Sequence, residues 1–163
     1  MEKTSYRLIK ILEENARYSV AELAQMIDLS EEETAALMHK LEQEKIICGY
    51  KALIDWDKFS DTHVTALIEL KVTPQISAGF EEIAEYIMNM PEVESVYLMS
   101  GAYDFSVTVQ GRSFKDVALF VAKRLATMKG VVSTATHFVL RRYKELSVPM
   151  IKMHDDDRGT LSF

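Results

Sequence analysis

Only one cysteine, Cys48, occurs in the 163 residues. A lone thiol closes no internal disulfide, and no histidine or second cysteine stands near it at metal-ligand spacing. The fold must therefore rest on buried apolar surface, and Cys48 reads as a partly buried structural thiol. Long apolar runs are also missing. None approaches the ~18 residues that cross a bilayer, and the opening MEKTSYRL has no apolar segment of the kind that exports a protein. These absences exclude a membrane-spanning class and predict a cytoplasmic location. An excess of positive charge is lacking as well, since the net charge is −6. Residues 1–55 hold seven Lys/Arg against eleven Asp/Glu. Indiscriminate binding of polyanions is thereby disfavoured, although local basic patches remain open. What the chain does have is 48% apolar residues, enough for a packed core in one or two compact domains.

The apolar pattern begins at a helical period. Leu8, Ile11 and Leu12 form a stripe on a short amphipathic helix over residues 5–14. Ser19 with Glu22 and Ser30 with Glu33 are two capping boxes, in which the serine oxygen takes a first-turn N–H and the glutamate reaches back. Behind them lie the stripes Val20, Leu23, Ala24, Ile27 and Thr34, Leu37, Met38, Leu41. Two helices joined by Asp28-Leu29, after a helix that packs across both, predict a helix-turn-helix. Ile46 to Ile54, apolar with a turn at Gly49, predicts a short β ribbon and so a winged variant. The expected divisions are a winged helix-turn-helix over 1–54, a linker over 55–61, a second domain over 62–146 and a partly mobile tail over 147–163.

From Val64 the period changes to two. A strand Val64–Val72 ends at Thr73-Pro74, and a helix with the stripe Phe80, Ile83, Ala84, Ile87, Met90 stops at Pro91. Residues 93–110 read as two strands reversing at Ser100-Gly101-Ala102, where glycine relaxes the φ restriction of a close bend. Ser113 caps a further helix that Gly130 ends, and a last strand runs from Val131 to about Arg142. The order β-α-β-β-α-β predicts a ferredoxin-like domain, so the fold class is α+β. Met90-x-x-Val93-x-Ser95 and Met128-x-x-Val131-x-Ser133 form a faint internal repeat that suits such a split β-α-β arrangement. Its helices would cover one sheet face only. Leu67, Ala135 and Val139 point to a second copy of the chain over the other.

The bend at residues 100–104 invites two readings. Turn N–H groups and the Asp104 carboxylate could converge on a small polar ligand; equally, Gly101 could serve geometry and Asp104 the nearby backbone. Other polar groups read as structural. His63, His137, Arg141 and Arg142 carry no catalytic pattern, and His154 with Asp155–Asp157 reads as an acidic tail, so neither catalytic residues nor metal ligands are assigned.

These features together resemble the Lrp/AsnC family of feast/famine transcriptional regulators. The likeness rests on Leu29-Ser30 at the turn, Lys40-Leu41-Glu42 followed by Ile46-Ile47-x-Gly49-Tyr50, Ser100-Gly101-x-Tyr103-Asp104, and Gly130-Val131 with Thr134-x-Thr136. It implies a DNA-binding first domain and a second domain that oligomerises and senses a small molecule, commonly an amino acid. Double-stranded DNA, that effector, and the chain itself as homodimer or octamer are the partners implied, with no cofactor beyond the effector. Carried over by position, Ser100, Gly101, Tyr103 and Asp104 of one chain would meet Thr134 and Thr136 of another around the effector. An ammonium needs an acceptor such as Asp104, and a carboxylate needs turn N–H groups and hydroxyls.

The recognition helix departs from the family pattern. Glu32, Glu33, Ala35, Ala36, His39 and Lys40 are expected to face the groove, where relatives usually carry one or more arginines, including at the position of Leu37; Lys45, Lys51 and Tyr50 are expected near phosphate. Acids at a helix N-terminus suit the macrodipole and oppose phosphate. The alternative function is accordingly a non-DNA-binding relative: a sensing partner protein, or an enzyme similar to the siroheme decarboxylases, whose histidine-rich signature this sequence lacks.

Overall fold

The computed structural model describes residues 2–59, 62–73 and 79–151, and the chain divides into two compact units, Met1–Leu53 and Ile54–Phe163. In the first unit, α1 (Glu2–Glu14), α2 (Val20–Ile27) and α3 (Glu31–Gln43) bury Leu8, Leu12, Leu23, Ile27 and Leu41 at their meeting point. Both capping boxes form. The Ser19 and Ser30 hydroxyl oxygens accept the N–H groups of Glu22 and Glu33, whose carboxylates accept the serine N–H groups in return. Asp28 sits in the left-handed region (φ 60°, ψ 44°), tolerable for a short polar side chain, and this reverses the chain between α2 and α3. Arg7 of α1 clasps that turn through the Asp28 carboxylate at 3.0 Å.

The predicted wing is not a ribbon. Residues 46–54 form no strand, because the start of the segment is consumed elsewhere: the N–H groups of Ile46 and Ile47 both bond the Leu41 carbonyl at the end of α3. A two-stranded ribbon of a few residues is marginal by itself, with no third strand to join. Cys48 is exposed rather than partly buried, its thiol donating to the Lys45 carbonyl at 3.0 Å.

The second unit opens with a helical turn, α4 (Trp56–Phe59), within the stretch read as linker. The Trp56 indole stacks on the His63 ring at 5.0 Å. Then follow β1 (Val64–Val72), α5 (Glu81–Met88), β2 (Val93–Leu98), β3 (Phe105–Gly111), α6 (Phe114–Phe120), which continues as a π-turn over Val121–Leu125, and β4 (Val131–Phe138). The sheet order is β2-β3-β1-β4 and every neighbouring pair is antiparallel, the ferredoxin-like arrangement. Alternation fixes the faces: Ala66, Ile68, Leu70 and Val72 of β1 and Phe105, Val107 and Val109 of β3 are buried against Ile83, Ile87, Val117, Phe120 and Leu125 of the helices. The sequence repeat has a backbone counterpart. Val93 bonds the Met90 carbonyl at 3.0 Å and Val131 bonds the Met128 carbonyl at 3.1 Å, the same helix-to-strand step twice.

Two boundaries differ from expectation. β4 ends at Phe138 rather than near Arg142, since beyond Val139, whose N–H bonds the Thr65 carbonyl, the chain turns away from β1. The start of the expected tail belongs to a hairpin: β5 (Lys144–Glu145) pairs with β6 (Val148–Pro149), and Met150 is buried while its carbonyl accepts the Lys58 ammonium at 2.8 Å. The rest of the expected tail, including His154–Asp157, lies outside the described residues.

Candidate functional site: an exposed helix face and a glycine-aspartate turn

The outward face of α3 is a stripe at helical spacing. Glu32, Ala35, Ala36 and His39 are all exposed on the side away from the buried Thr34 and Leu41, with Lys40 beside them. Thr34 is fully buried because its hydroxyl donates to the Ser30 carbonyl at 2.8 Å. Of the three acids at the start of the helix, Glu33 is engaged: the Ser30 hydroxyl and N–H donate to it at 2.7 and 2.9 Å, and these bonds lower its pKa below the ordinary carboxylate value. Glu33, read as facing the groove, is thus drawn back to the cap. Glu32 is exposed and has no side-chain partner among the described residues.

Tyr50 is corrected in the same way. Its hydroxyl donates to the Glu42 carboxylate at 2.9 Å, so the O–H expected to meet phosphate is already used. Desolvation first, then this bond, raises the phenol's pKa. Lys40 pairs loosely with Glu44 at 3.8 Å. Lys45 and Lys51 are exposed with no side-chain partner among the described residues, Lys45 in the left-handed region at φ 56°. Sequence reasoning missed Gln43, one turn beyond His39 on the stripe, whose amide lies 2.9 Å from the His39 Nε2. The i, i+4 spacing was the available signal.

In the second unit the turn after β2 is closed by the Met99 N–H on the Asp104 carbonyl at 2.8 Å, with Gly101 at φ 147°, a conformation a side chain would strain. Ser100 and Gly101 are exposed; Tyr103 and Asp104 are half-buried. Asp104 is occupied within its own chain. One carboxylate oxygen accepts the Val72 N–H at 2.8 Å and the other the Lys71 ammonium at 3.3 Å, so the side chain continues the β1–β3 ladder past its last paired residues, Leu70 and Phe105. The Val72 bond is the main reason its pKa falls below the usual carboxylate value; burial opposes and Lys71 assists.

Thr134 and Thr136 do not join Asp104 within one chain. They pair with Leu70 and Ile68, which puts them on the helix-covered face of the edge strand β4, whereas Asp104 and Lys71 lie on the open face. The side chains set aside as non-catalytic are dispersed: His137 faces Glu69 at 3.0 Å, Arg142 donates to the Thr65 hydroxyl at 2.6 Å, and Arg141 lies over the Tyr143 ring. The open face itself is mixed, with Leu67 39% and Tyr97 59% exposed. Among the described residues no helix is long and apolar enough to cross a membrane.

A three-helix reader with a short-turn second and third helix, followed by a ferredoxin-like sensing fold, defines a two-domain helix-turn-helix regulator. Residues 1–42 match the AsnC-type helix-turn-helix domain and residues 65–149 match the Lrp/AsnC ligand binding domain. The chain belongs to the Lrp/AsnC family of transcriptional regulators, and its first domain makes DNA its partner. It is 47% identical, over 93% of its length and 91% of the relative's, to the uncharacterised HTH-type transcriptional regulator YugG of Bacillus subtilis. At 24% identity it resembles a proline dehydrogenase transcriptional activator of Rhodobacter capsulatus, covering 93% and 97% of the two chains. Among solved structures, the transcriptional regulator NMB0573 of Neisseria meningitidis in complex with L-Met superposes with a TM-score of 0.72 at 25% identity, covering 92% and 97%. These relatives carry the names of regulators, not of enzymes.

Proposed function

We propose that the protein controls transcription in response to an amino acid, and that the amino acid acts by changing how copies of the chain assemble. The observation that carries this reading is the position of Asp104: a carboxylate at a glycine turn, half-buried and engaged with Lys71, on the uncovered face at the end of the sheet. Ser100, Gly101, Tyr103 and Asp104 of one chain meet Thr134 and Thr136 of another; the two threonines lie on the sheet face opposite Asp104 within a single chain, which supports a second chain as their source. An ammonium entering there competes with Lys71 for Asp104, so ligand binding and the local strand end are coupled. No resident cofactor is required. The open sheet face, with Leu67 at its centre, forms the dimer, and dimers associate further through the turns.

DNA is held by α3. Because Glu32 opposes phosphate, each single reader binds weakly, and assembly supplies affinity by engaging several half-sites at once. Sedimentation of the protein with each of the twenty amino acids, followed by band shifts on its own upstream region, tests the reading. At least one amino acid should change both the assembly and the shift. An assembly insensitive to all twenty, or no preference for the upstream DNA over unrelated DNA at low salt, refutes it.

A further inference from the structure

We infer that the open sheet face is a proton-controlled contact: uptake of a proton by His137 tightens the pairing of two copies of the chain across it. The inference rests on the proposed dimer through Leu67 and adds what governs it. His137 stands directly opposite Leu67 in the β1–β4 register, on the same face, and its Nε2 reaches diagonally to the Glu69 carboxylate at 3.0 Å. The patch that a second copy covers therefore has a histidine–carboxylate pair beside its apolar centre.

The surroundings leave this pair to itself. On the open face β3 contributes Ser106, Thr108 and Gln110, none of which carries charge. Lys71, two residues along β1 from Glu69, is held by Asp104 at 3.3 Å. Beyond β4, Arg142 donates to the Thr65 hydroxyl at 2.6 Å and has Glu145 at 4.0 Å, and Arg141 lies over the Tyr143 ring. Tyr97 is the titratable group that β2 adds to this face. Glu69 has no side-chain partner but His137 among the described residues. The imidazole alone thus sets the charge of the pair, which is negative when the ring is neutral and balanced when it is protonated.

In one chain that difference matters little. The two side chains are 58% and 35% exposed, and water screens an ion pair at such a site. Covering the face changes the balance. A carboxylate stripped of water without a counter-charge is costly, and two-fold pairing buries two of them in one contact, where they also repel. An imidazolium beside each removes both penalties. Histidine ordinarily titrates near pH ~6.5, so the switch falls in the physiological range. Linkage sets the sign: a histidine that gains a partner on association lends its full contribution below that pH and loses it as pH rises. Association should therefore tighten from pH 8 to pH 6.

The test mixes uniformly 15N-labelled and unlabelled full-length protein at pH 6 and at pH 8. The rate at which mixed assemblies appear, read by native mass spectrometry, reports dissociation of the pair, the step in which most affinity differences reside. The native protein should exchange at least tenfold more slowly at pH 6. His137→Gln and Glu69→Gln should each abolish this slowing, the first by removing the group that takes the proton and the second by removing the charge that the proton balances. Equal rates in the native protein, slower exchange at pH 8, or a tenfold slowing at pH 6 that survives in either variant overturns the inference. Leu67→Glu separates this failure from that of the dimer reading. A Leu67→Glu chain that stays associated, or a native protein that forms no assembly, removes both; a monomeric Leu67→Glu with a native protein indifferent to pH removes the switch alone.

Discussion

Replacing Glu32 should strengthen DNA binding, and the structure sets the size of the gain. Glu32 is exposed on the outward stripe of α3 and has no partner among the described residues, whereas Glu33 beside it is turned back onto Ser30. A helix seated in a major groove about 12 Å wide puts such a carboxylate about 6–7 Å from the phosphates of each wall. In water each pair costs about 0.6 kcal/mol at that distance, and two walls cost roughly 1 kcal/mol. Physiological salt, with a Debye length of about 8 Å, cuts this to about 0.5 kcal/mol. Glu32→Gln should then bind about twofold more tightly. Glu32→Lys reverses the sign and should gain about 1 kcal/mol, about fivefold, with a slope of log K against log salt steeper by about 0.9 if the lysine takes one phosphate. Fluorescence anisotropy on the upstream DNA at several salt concentrations measures both quantities. Glu33→Gln is the control: its affinity should stay near that of the native protein, while the first unit melts earlier because a cap is weakened. Equal gains from Glu32→Lys and Glu33→Gln, or no gain from Glu32→Lys at low salt, would show that this stripe does not face the groove.

The remaining predictions concern stability and assembly. Ser30→Ala removes the acceptor for the Glu33 N–H and should cost the first unit about 1 kcal/mol, read as an earlier thermal transition. Leu125, fully buried where the π-turn meets the sheet, should cost about 2–5 kcal/mol when cut to alanine, as measured by denaturant unfolding. Asp104 has a lowered pKa, so its contribution is complete above roughly pH 4 and fades as pH falls through its folded value. Acid unfolding of Asp104→Asn should therefore lack that component; identical acid limbs for the two proteins would deny Asp104 any role in fastening β3 to β1. Leu67→Glu puts a charge on the open sheet face and should shift the sedimenting species toward monomer, and an unchanged profile would move the dimer contact elsewhere.

Local signals in the sequence were enough for most of the fold. Ser19-x-x-Glu22 and Ser30-x-x-Glu33 mark helix starts because capping needs only residues three apart, and both boxes form as read. The change of period at Val64 separates the two domains' chemistry, and alternation along 64–72 and 105–109 predicts which side chains enter the core, since period two assigns faces without reference to partners. The turn at Gly101 and the family likeness were legible for the same reason, each resting on short-range patterns. Ile46–Ile54 shows where that reasoning stops: it is apolar around a glycine like a hairpin, yet a strand requires a partner, and the partner is a property of the whole fold. Tyr50 and Glu33 looked available for DNA, but Glu42 and Ser30 hold them, and Asp104, open to a ligand or to nearby backbone, is engaged by Val72 and Lys71 from about thirty residues away. Thr134 and Thr136 were legible as strand residues, but only the register against Ile68 and Leu70 put them on the face away from Asp104. The amino-acid sequence alone thus determined the main helices and the β-α-β-β-α-β order with its buried faces; the tertiary structure decided whether the wing pairs and which polar groups are already satisfied, because pairing and hydrogen bonds between distant segments depend on coordinates that no local period encodes.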